Sequence, residues 1–158
     1  GAYPGLGAEE RGQAEAIARN LREMSTMKVP IVSIVIGEGG SGGALAIGVA
    51  NKLFMLEYSV YSVISPEGCA SILFRDAKES ERASESLKIT SQHVKDLGIA
   101  DDIIAEPNGG AHNNWEEVAT NIKKVILKEL SQLMQLSVND ILEQRYQKYR
   151  KMGQFLES

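Results

Sequence analysis

A chain of 158 residues, 43% of them hydrophobic, has the material for one domain with a real core, which excludes a disordered segment. Its net charge of -4 argues against a nucleic-acid partner, because phosphate binding draws on a basic face. The single cysteine, Cys69, excludes an internal disulfide, and no apolar run reaches the roughly 18 residues of a membrane span, so the reducing cytosol or an organelle stroma is the expected compartment.

Residues 1–5, Gly-Ala-Tyr-Pro-Gly, read as a tight turn. A turn that leads directly into a helix calls for a strand before it, so the expectation is an N-terminally truncated domain. Residues 8–27 predict one helix, with Ile17, Leu21 and Met24 on one face and Glu9 and Glu10 in the first turn, where the dipole favours them. The β-branched run at 29–36 suits a strand covered on both faces. A glycine-rich loop over 37–43 follows, with a short apolar helix beginning at Ser41 or Gly42. Residues 53–56 and 60–64 predict two short strands. Pro66 opens a helix that runs to about Arg75. The charged stretch 77–88 predicts a solvent-facing helix, and 91–98 a short helix stopped by Gly98. Ile103 and Ile104 suit a short strand or extended link. Over 114–134 the stripe Val118, Ile122, Val125, Leu130 and Leu133 predicts a helix capped by Asn114. A last helix spans about 138–151, and its basic cluster, Arg145, Lys148, Arg150 and Lys151, reads as a solvated face or a partner surface.

Chemistry concentrates in Gly37-Glu38-Gly39-Gly40-Ser41-Gly42-Gly43, between the hydrophobic strand and the short helix. Glycine lets the backbone turn sharply and lets a ligand approach the main chain. The first N–H groups of the next helix have no intrahelical acceptor, and with the dipole behind them they stabilise negative charge. That charge is either a fixed phosphate or an oxyanion present only in a transition state. Close helix–strand packing explains the same glycines equally well.

The loop also satisfies a dinucleotide-binding pattern. Gly37, Gly39 and Gly42 fit G-x-G-x-x-G, and Glu57 stands twenty residues beyond Gly37. Against this reading, the following helix has about eight residues before Asn51 and Lys52, short for a crossover between parallel strands. Glu57 is expected to point into the strand-rich body and away from any ribose.

Four segments carry a resemblance. They are Gly1-Ala-Tyr-Pro-Gly-Leu-Gly-Ala-Glu-Glu-Arg-Gly-Gln, Val35-Ile-Gly-Glu-Gly-Gly-Ser-Gly-Gly-Ala-Leu-Ala-Ile-Gly, Ser62-Val-Ile-Ser-Pro-Glu-Gly-Cys-Ala and Gly109-Gly-Ala-His112. In this order and spacing, over nearly the whole chain, they resemble the carboxyltransferase α-subunit family of acetyl-CoA carboxylase. The resemblance implies an α/β fold of crotonase-like (ClpP/crotonase) type, a superhelix of ββα units with the site between two related subunits. It implies transfer of a carboxyl group from carboxybiotin to acetyl-CoA, giving malonyl-CoA for fatty acid biosynthesis. By the same resemblance, Gly42 and the adjacent Gly43 are the oxyanion N–H donors. Gly39, Gly40 and Ala2 are the substrate-binding positions. No metal or cofactor belongs to this chain, and carboxybiotin and acetyl-CoA are substrates. The implied partners are a β subunit in an α2β2 assembly, a biotin carboxyl carrier protein and biotin carboxylase.

Two departures from crotonase-type hydratases stand out. Leu45 occupies the place of one of their acids, and Glu67 aligns with the second, so a carboxylate pair is missing. Glu67 equally suits a helix start. Within the carboxyltransferase pattern, Asn108 replaces an apolar residue. Cys69 reads as a buried thiol, or as one with a lowered pKa at a helix start. His93 and His112 show no metal-ligand spacing, and His112 suits a turn or an interface. Ser41 lacks a local histidine to activate it. Tyr3, Tyr58 and Tyr61 suit either strand packing or a cleft lining. Three functions therefore compete: a carboxyltransferase subunit, a nucleotide-binding oxidoreductase, and a non-catalytic assembly module.

Overall fold

The computed structural model describes residues 5–153. The first helical stretch is broken in two, α1 over Leu6–Glu10 and α2 over Gln13–Thr26. Gly12 between them takes the left-handed conformation, with φ 74, so the single helix expected over 8–27 turns at the one residue there that reaches this region without a Cβ penalty. Ile17, Leu21 and Met24 form the half-buried face of α2, as their spacing predicts.

Strand β1 covers only Val32–Val35. The glycine loop is not wholly a loop. Glu38–Gly40 forms a second strand, β2, and helix α3 follows over Ser41–Gly48. The pattern then repeats as β3, Lys52–Leu56, β4, Val60–Ser62, and α4, Pro66–Leu73. These are two consecutive ββα units. Each sends its first strand to one sheet and its second to another. β1 pairs parallel with β3, Val32 opposite Lys52, and β2 pairs parallel with β4, Gly39 opposite Tyr61. The eight-residue helix does serve as a crossover, contrary to the length argument from sequence, because β2 lies in the same connection and supplies the missing span.

The second half is mainly helical. A 3-10 turn at Ala77–Glu79 leads into α5, Ser80–Leu87, and α6 covers Ser91–Asp96. Gly98, with φ 71, ends that helical segment. The extended pair at 103–104 belongs to β5, Asp102–Ile104, which adds in parallel to β3 and gives the order β1-β3-β5. A 3-10 turn at Ala111–Asn113 precedes α7, Trp115–Leu133, capped by Asn114, and α8 spans Val138–Arg150. Pro66 starts α4 as expected, and the structure adds a cap, Ser65 Oγ accepting from the Gly68 N–H at 3.1 Å.

β3 is the more deeply buried strand, and β1 too meets apolar residues on both faces, with Val35 in one cluster and Val32 and Ile34 against the other. Leu53 and Met55 pack with Val35, Val94 and Ala100 on one side, while Phe54 and Leu56 pack with Ile104 and Val118 on the other. β1 lies at the sheet edge and is mostly half-buried. Each large apolar side chain buried in β3 contributes about 1.5–3 kcal/mol, so this central strand anchors the fold. No described helix is long and apolar enough to cross a membrane.

Candidate functional site

All three strands of the larger sheet run parallel, and the glycine segment leaves from the carboxyl end of β1. The carboxyl edge of a parallel sheet is the usual place for a site. Here β2 carries the chain across to the second sheet, and α3 begins at Ser41. Its N-cap, Gly40, has no side chain to cap the helix, so the first-turn N–H groups, those of Gly42 and Gly43 included, receive no bond from it. Ser41 itself stands at φ 49, in the left-handed region, a strain on the order of 1–2 kcal/mol for a non-glycine residue. The helix therefore starts abruptly between two glycines and turns its positive end outward.

The glycines divide into two groups. A β-carbon at Gly37, Gly40 or Gly43 would have no neighbour within 4 Å, so packing does not explain these three. At Gly42 it would meet Ile17 Cγ2 at 3.5 Å, an ordinary contact that seats α2 against the donor end of α3. At Gly39 it would strike the Tyr61 ring at 3.0 Å and Val35 at 3.4 Å. Gly39 is buried, so its place is in the packing layer beneath the loop rather than at the surface expected for a substrate contact. Ala2 and Tyr3 lie outside the described residues.

Tyr61 is the side chain the sequence reading left undecided. Its hydroxyl donates to the Ala44 carbonyl at 2.8 Å. Burial, with Tyr149 close by, pushes its pKa up to about 12, so it stays a neutral donor. Tyr149 of α8 reaches the other end of α3, where its hydroxyl bonds the Gly48 carbonyl and accepts from the Ala50 N–H at 3.1 Å. Tyr58, by contrast, is 57% exposed.

The hydratase-type acid pair is absent. Leu45 is 55% exposed on α3, and Glu67 is an exposed first-turn residue of α4. Cys69 is buried among Ala70 and Ala83. His93 Nδ1 pairs with Thr90 Oγ1 at 3.0 Å, and His112 lies exposed in a 3-10 turn. Among the described residues no group of three His, Cys, Asp or Glu side chains is placed to hold a metal.

The segment Gly109-Gly-Ala-His112 is held against the β3–β4 turn by Glu106. Its carboxylate accepts from the N–H groups of Tyr58 and Ala111, both at 2.8 Å, and its own N–H donates to Glu57 Oε2 at 3.1 Å. Glu57 is thus exposed at the end of β3 and does not point into the body, which corrects the expectation for it. The dinucleotide reading fails for a different reason. A phosphate-binding turn passes directly from strand to helix, whereas β2 intervenes here, and the glycine that should approach a pyrophosphate, Gly39, is packed against the Tyr61 ring. Calorimetric titration with NAD is expected to show no saturable binding. A specific micromolar isotherm would restore that reading.

The basic cluster of α8 is only partly a solvated face. Arg145 is 2% exposed and donates to the carbonyls of Met24, Met27 and Val29 and to Asn51 Oδ1, at 2.7–2.9 Å. Burial lowers its pKa. Lys148 reaches Asp101, which also takes Lys52 at 3.3 Å, and burial likewise lowers the Lys148 pKa. Arg150 and Lys151 remain exposed. The i, i+4 spacing with Ile141 and Tyr149 puts Arg145 on the face that packs, but the spacing does not say whether the guanidinium meets water or carbonyls.

Comparison with known proteins adds the following. The profile of the acetyl co-enzyme A carboxylase carboxyltransferase-like family matches residues 1–153. Proteins described as acetyl-coenzyme A carboxylase carboxyl transferase subunit alpha are similar along nearly the whole chain. The one from Geobacter metallireducens is 56% identical over 99% of this chain and 49% of its own length, and that from Nitratiruptor is 60% identical over 99% and 50%. The chain thus spans about half the length of the curated relatives it matches. Among solved structures, a chain of a Pseudomonas malonate decarboxylase hetero-tetramer in complex with coenzyme A aligns with TM-score 0.69 at 17% identity, covering 90% of this chain and 56% of that one. Transcarboxylase 12S aligns with TM-score 0.62 at 19% identity, covering 99% of this chain and 27% of that one. At such identities these likenesses speak for the fold, and the fold they share is the crotonase-like α/β arrangement expected from the sequence.

Proposed function

Since this chain belongs to the acetyl co-enzyme A carboxylase carboxyltransferase-like family, we propose that it contributes the α-subunit half of a site that transfers a carboxyl group from carboxybiotin to acetyl-CoA. The single observation that carries this reading is the uncapped, glycine-bounded start of α3, with Gly42 and Gly43 in its first turn and open space beside Gly40 and Gly43.

The chemistry asks for such donors. The bond between the biotin nitrogen and the carboxyl carbon breaks, and negative charge develops on the ureido oxygen. The methyl carbon of acetyl-CoA gives up a proton and attacks the carboxyl carbon, and charge develops on the thioester oxygen. The released biotin nitrogen takes the proton, so the reaction needs no acid pair of the hydratase kind, in keeping with Leu45 and the solitary Glu67. A fixed N–H aimed at such an oxyanion is worth about 3–4 kcal/mol of barrier. Gly42 and Gly43 are the proposed donors. Gly40 lines the approach and Gly39 supports it from below. The Ala2 segment remains a proposed second contact.

A β subunit supplies the rest of the site in this proposal, as part of an α2β2 assembly served by a biotin carboxyl carrier protein and biotin carboxylase. Val63 supports it. It is 75% exposed and follows Ser62, the β4 residue opposite Gly40 at the start of α3, and apolar side chains exposed around a site mark a contact surface. The test is reconstitution. The segment, and the same segment within a full-length α subunit, are each assayed for malonyl-CoA with and without a β subunit. Product is expected only from the full-length form with its β partner. Biotin-dependent product from the segment alone would overturn the shared-site reading. No product from any mixture would favour the assembly-module reading.

A further inference from the structure

We propose that Tyr61 is a positioning residue for the donor end of α3, and that Gly39 and Gly48 are glycines because its side chain fills the space a β-carbon would take. The inference rests on the function proposed above.

Tyr61 stands on β4 opposite Gly39 in the parallel β2–β4 pair, and its own N–H is tied to the Ile89 carbonyl at 2.9 Å. Its ring therefore leaves a fixed backbone and runs beneath the loop. The ring edge lies 3.0 Å from where a β-carbon of Gly39 would sit, and the hydroxyl oxygen lies 2.5 Å from the corresponding point at Gly48. Between these ends the hydroxyl donates to the Ala44 carbonyl. One side chain thus touches the chain on both sides of Gly42 and Gly43: at Gly39, just before the N-cap, and at Ala44, just after the second donor. Nothing else among the described contacts spans that interval from below. N-terminal donors act on an oxyanion only where they are already aimed, and a displacement of about 1 Å can cost on the order of a hundredfold. A side chain held by its own strand and bonded to the helix supplies that aim.

The geometry offers a test that a merely structural role does not pass. Tyr61→Phe removes the hydroxyl and keeps the ring under Gly39. In the full α/β assembly it is expected to lower kcat by about tenfold or more, with KM for acetyl-CoA nearly unchanged, because the donors lose register rather than the substrate its binding surface. Gly48→Ala alone places a methyl group 2.5 Å from the hydroxyl oxygen and is expected to reproduce that loss. In the Tyr61→Phe background the nearest ring atom, Cζ, is 3.7 Å away, an ordinary contact, so Gly48→Ala should then cost nothing further in kcat and should raise Tm through better helix propensity. Strictly additive losses in kcat would overturn the proposed coupling. So would a Tyr61→Phe variant with lowered Tm and wild-type kcat. If the wild-type assembly makes no malonyl-CoA, the function proposed above fails instead, a result distinct from either of these.

Discussion

Arg145→Met is expected to lower stability by about 2–4 kcal/mol, the largest single effect outside the hydrophobic core. The guanidinium is 2% exposed and has no carboxylate partner among its described contacts. Its charge is met by oxygens instead. Met24 and Met27 present carbonyls at the C-terminal end of α2, where the helix dipole is negative and only a long 3.4 Å bond from the Met27 N–H reaches the Met24 carbonyl. Val29 adds a third carbonyl and Asn51 a side-chain oxygen. Methionine fills similar volume but donates nothing, so the Met27 and Val29 carbonyls lose their described donor, while the Met24 carbonyl keeps the Met27 N–H at 3.4 Å and Asn51 Oδ1 keeps the Ile31 N–H at 3.1 Å. Each unsatisfied buried acceptor costs about 1–3 kcal/mol, and partial relaxation keeps the total below their sum. Lysine is expected to rescue little, since one ammonium does not span the fork that reaches four acceptors. Thermal and denaturant melts check this. A change within about 0.5 kcal/mol, the usual range for surface sites, would show that the staple contributes nothing.

Gly42→Pro is expected to reduce carboxyl transfer in the reconstituted assembly by at least about a hundredfold, since removing one oxyanion donor costs that much in well-studied sites. Proline has no N–H, and it also restricts the residue before it to extended conformations, which conflicts with Ser41 at φ 49. The donor is removed and its neighbour displaced together. Gly42→Ala keeps the N–H and brings its methyl group to 3.5 Å from Ile17 Cγ2, an ordinary contact, so activity near wild type is expected. Steady-state rates of malonyl-CoA formation, with circular dichroism to verify folding, decide the matter. Unchanged turnover in a folded proline variant would remove Gly42 from the donor role, and an equal loss in the alanine variant would point to crowding at Ile17.

Much of the fold was legible because local signals and tertiary packing agree. Pro66 marked the start of α4, Asn114 the start of α7, and Gly98 the stop after α6, since caps and positive φ are properties of a few consecutive residues. The stripe Val118, Ile122 and Val125 faces Phe54, Leu56 and Ile104, as helical periodicity requires. Three of the four motifs that carried the family resemblance lie on the two ββα units and on the turn that Glu106 fastens to them, and the described part of the first lies on α1 and the start of α2.

Other features belong to relations no local pattern contains. Glu38–Gly40 became a strand despite two glycines, because Val60–Ser62 arrived to pair with it, and a parallel partner twenty-two residues away leaves no periodic trace in a three-residue segment. The run at 29–36 reads as a strand covered on both faces, but nothing in it tells that β3 takes the centre, because strand order rather than composition decides which strand has neighbours on both edges. Gly39 and Gly42 are alike as letters. Only the position of Tyr61 places one in the packing layer and leaves the other at the donor end. The sequence by itself thus determined the family, through four motifs in order, together with the glycine-bounded helix start and the signals at Pro66, Gly98 and Asn114, which follow from short-range backbone chemistry. The burial of Arg145 was decided by the tertiary structure alone. A cation on an amphipathic helix has the same local signature whether it faces water or carbonyls, and the carbonyls that accept it stand 116 to 121 residues earlier in the chain.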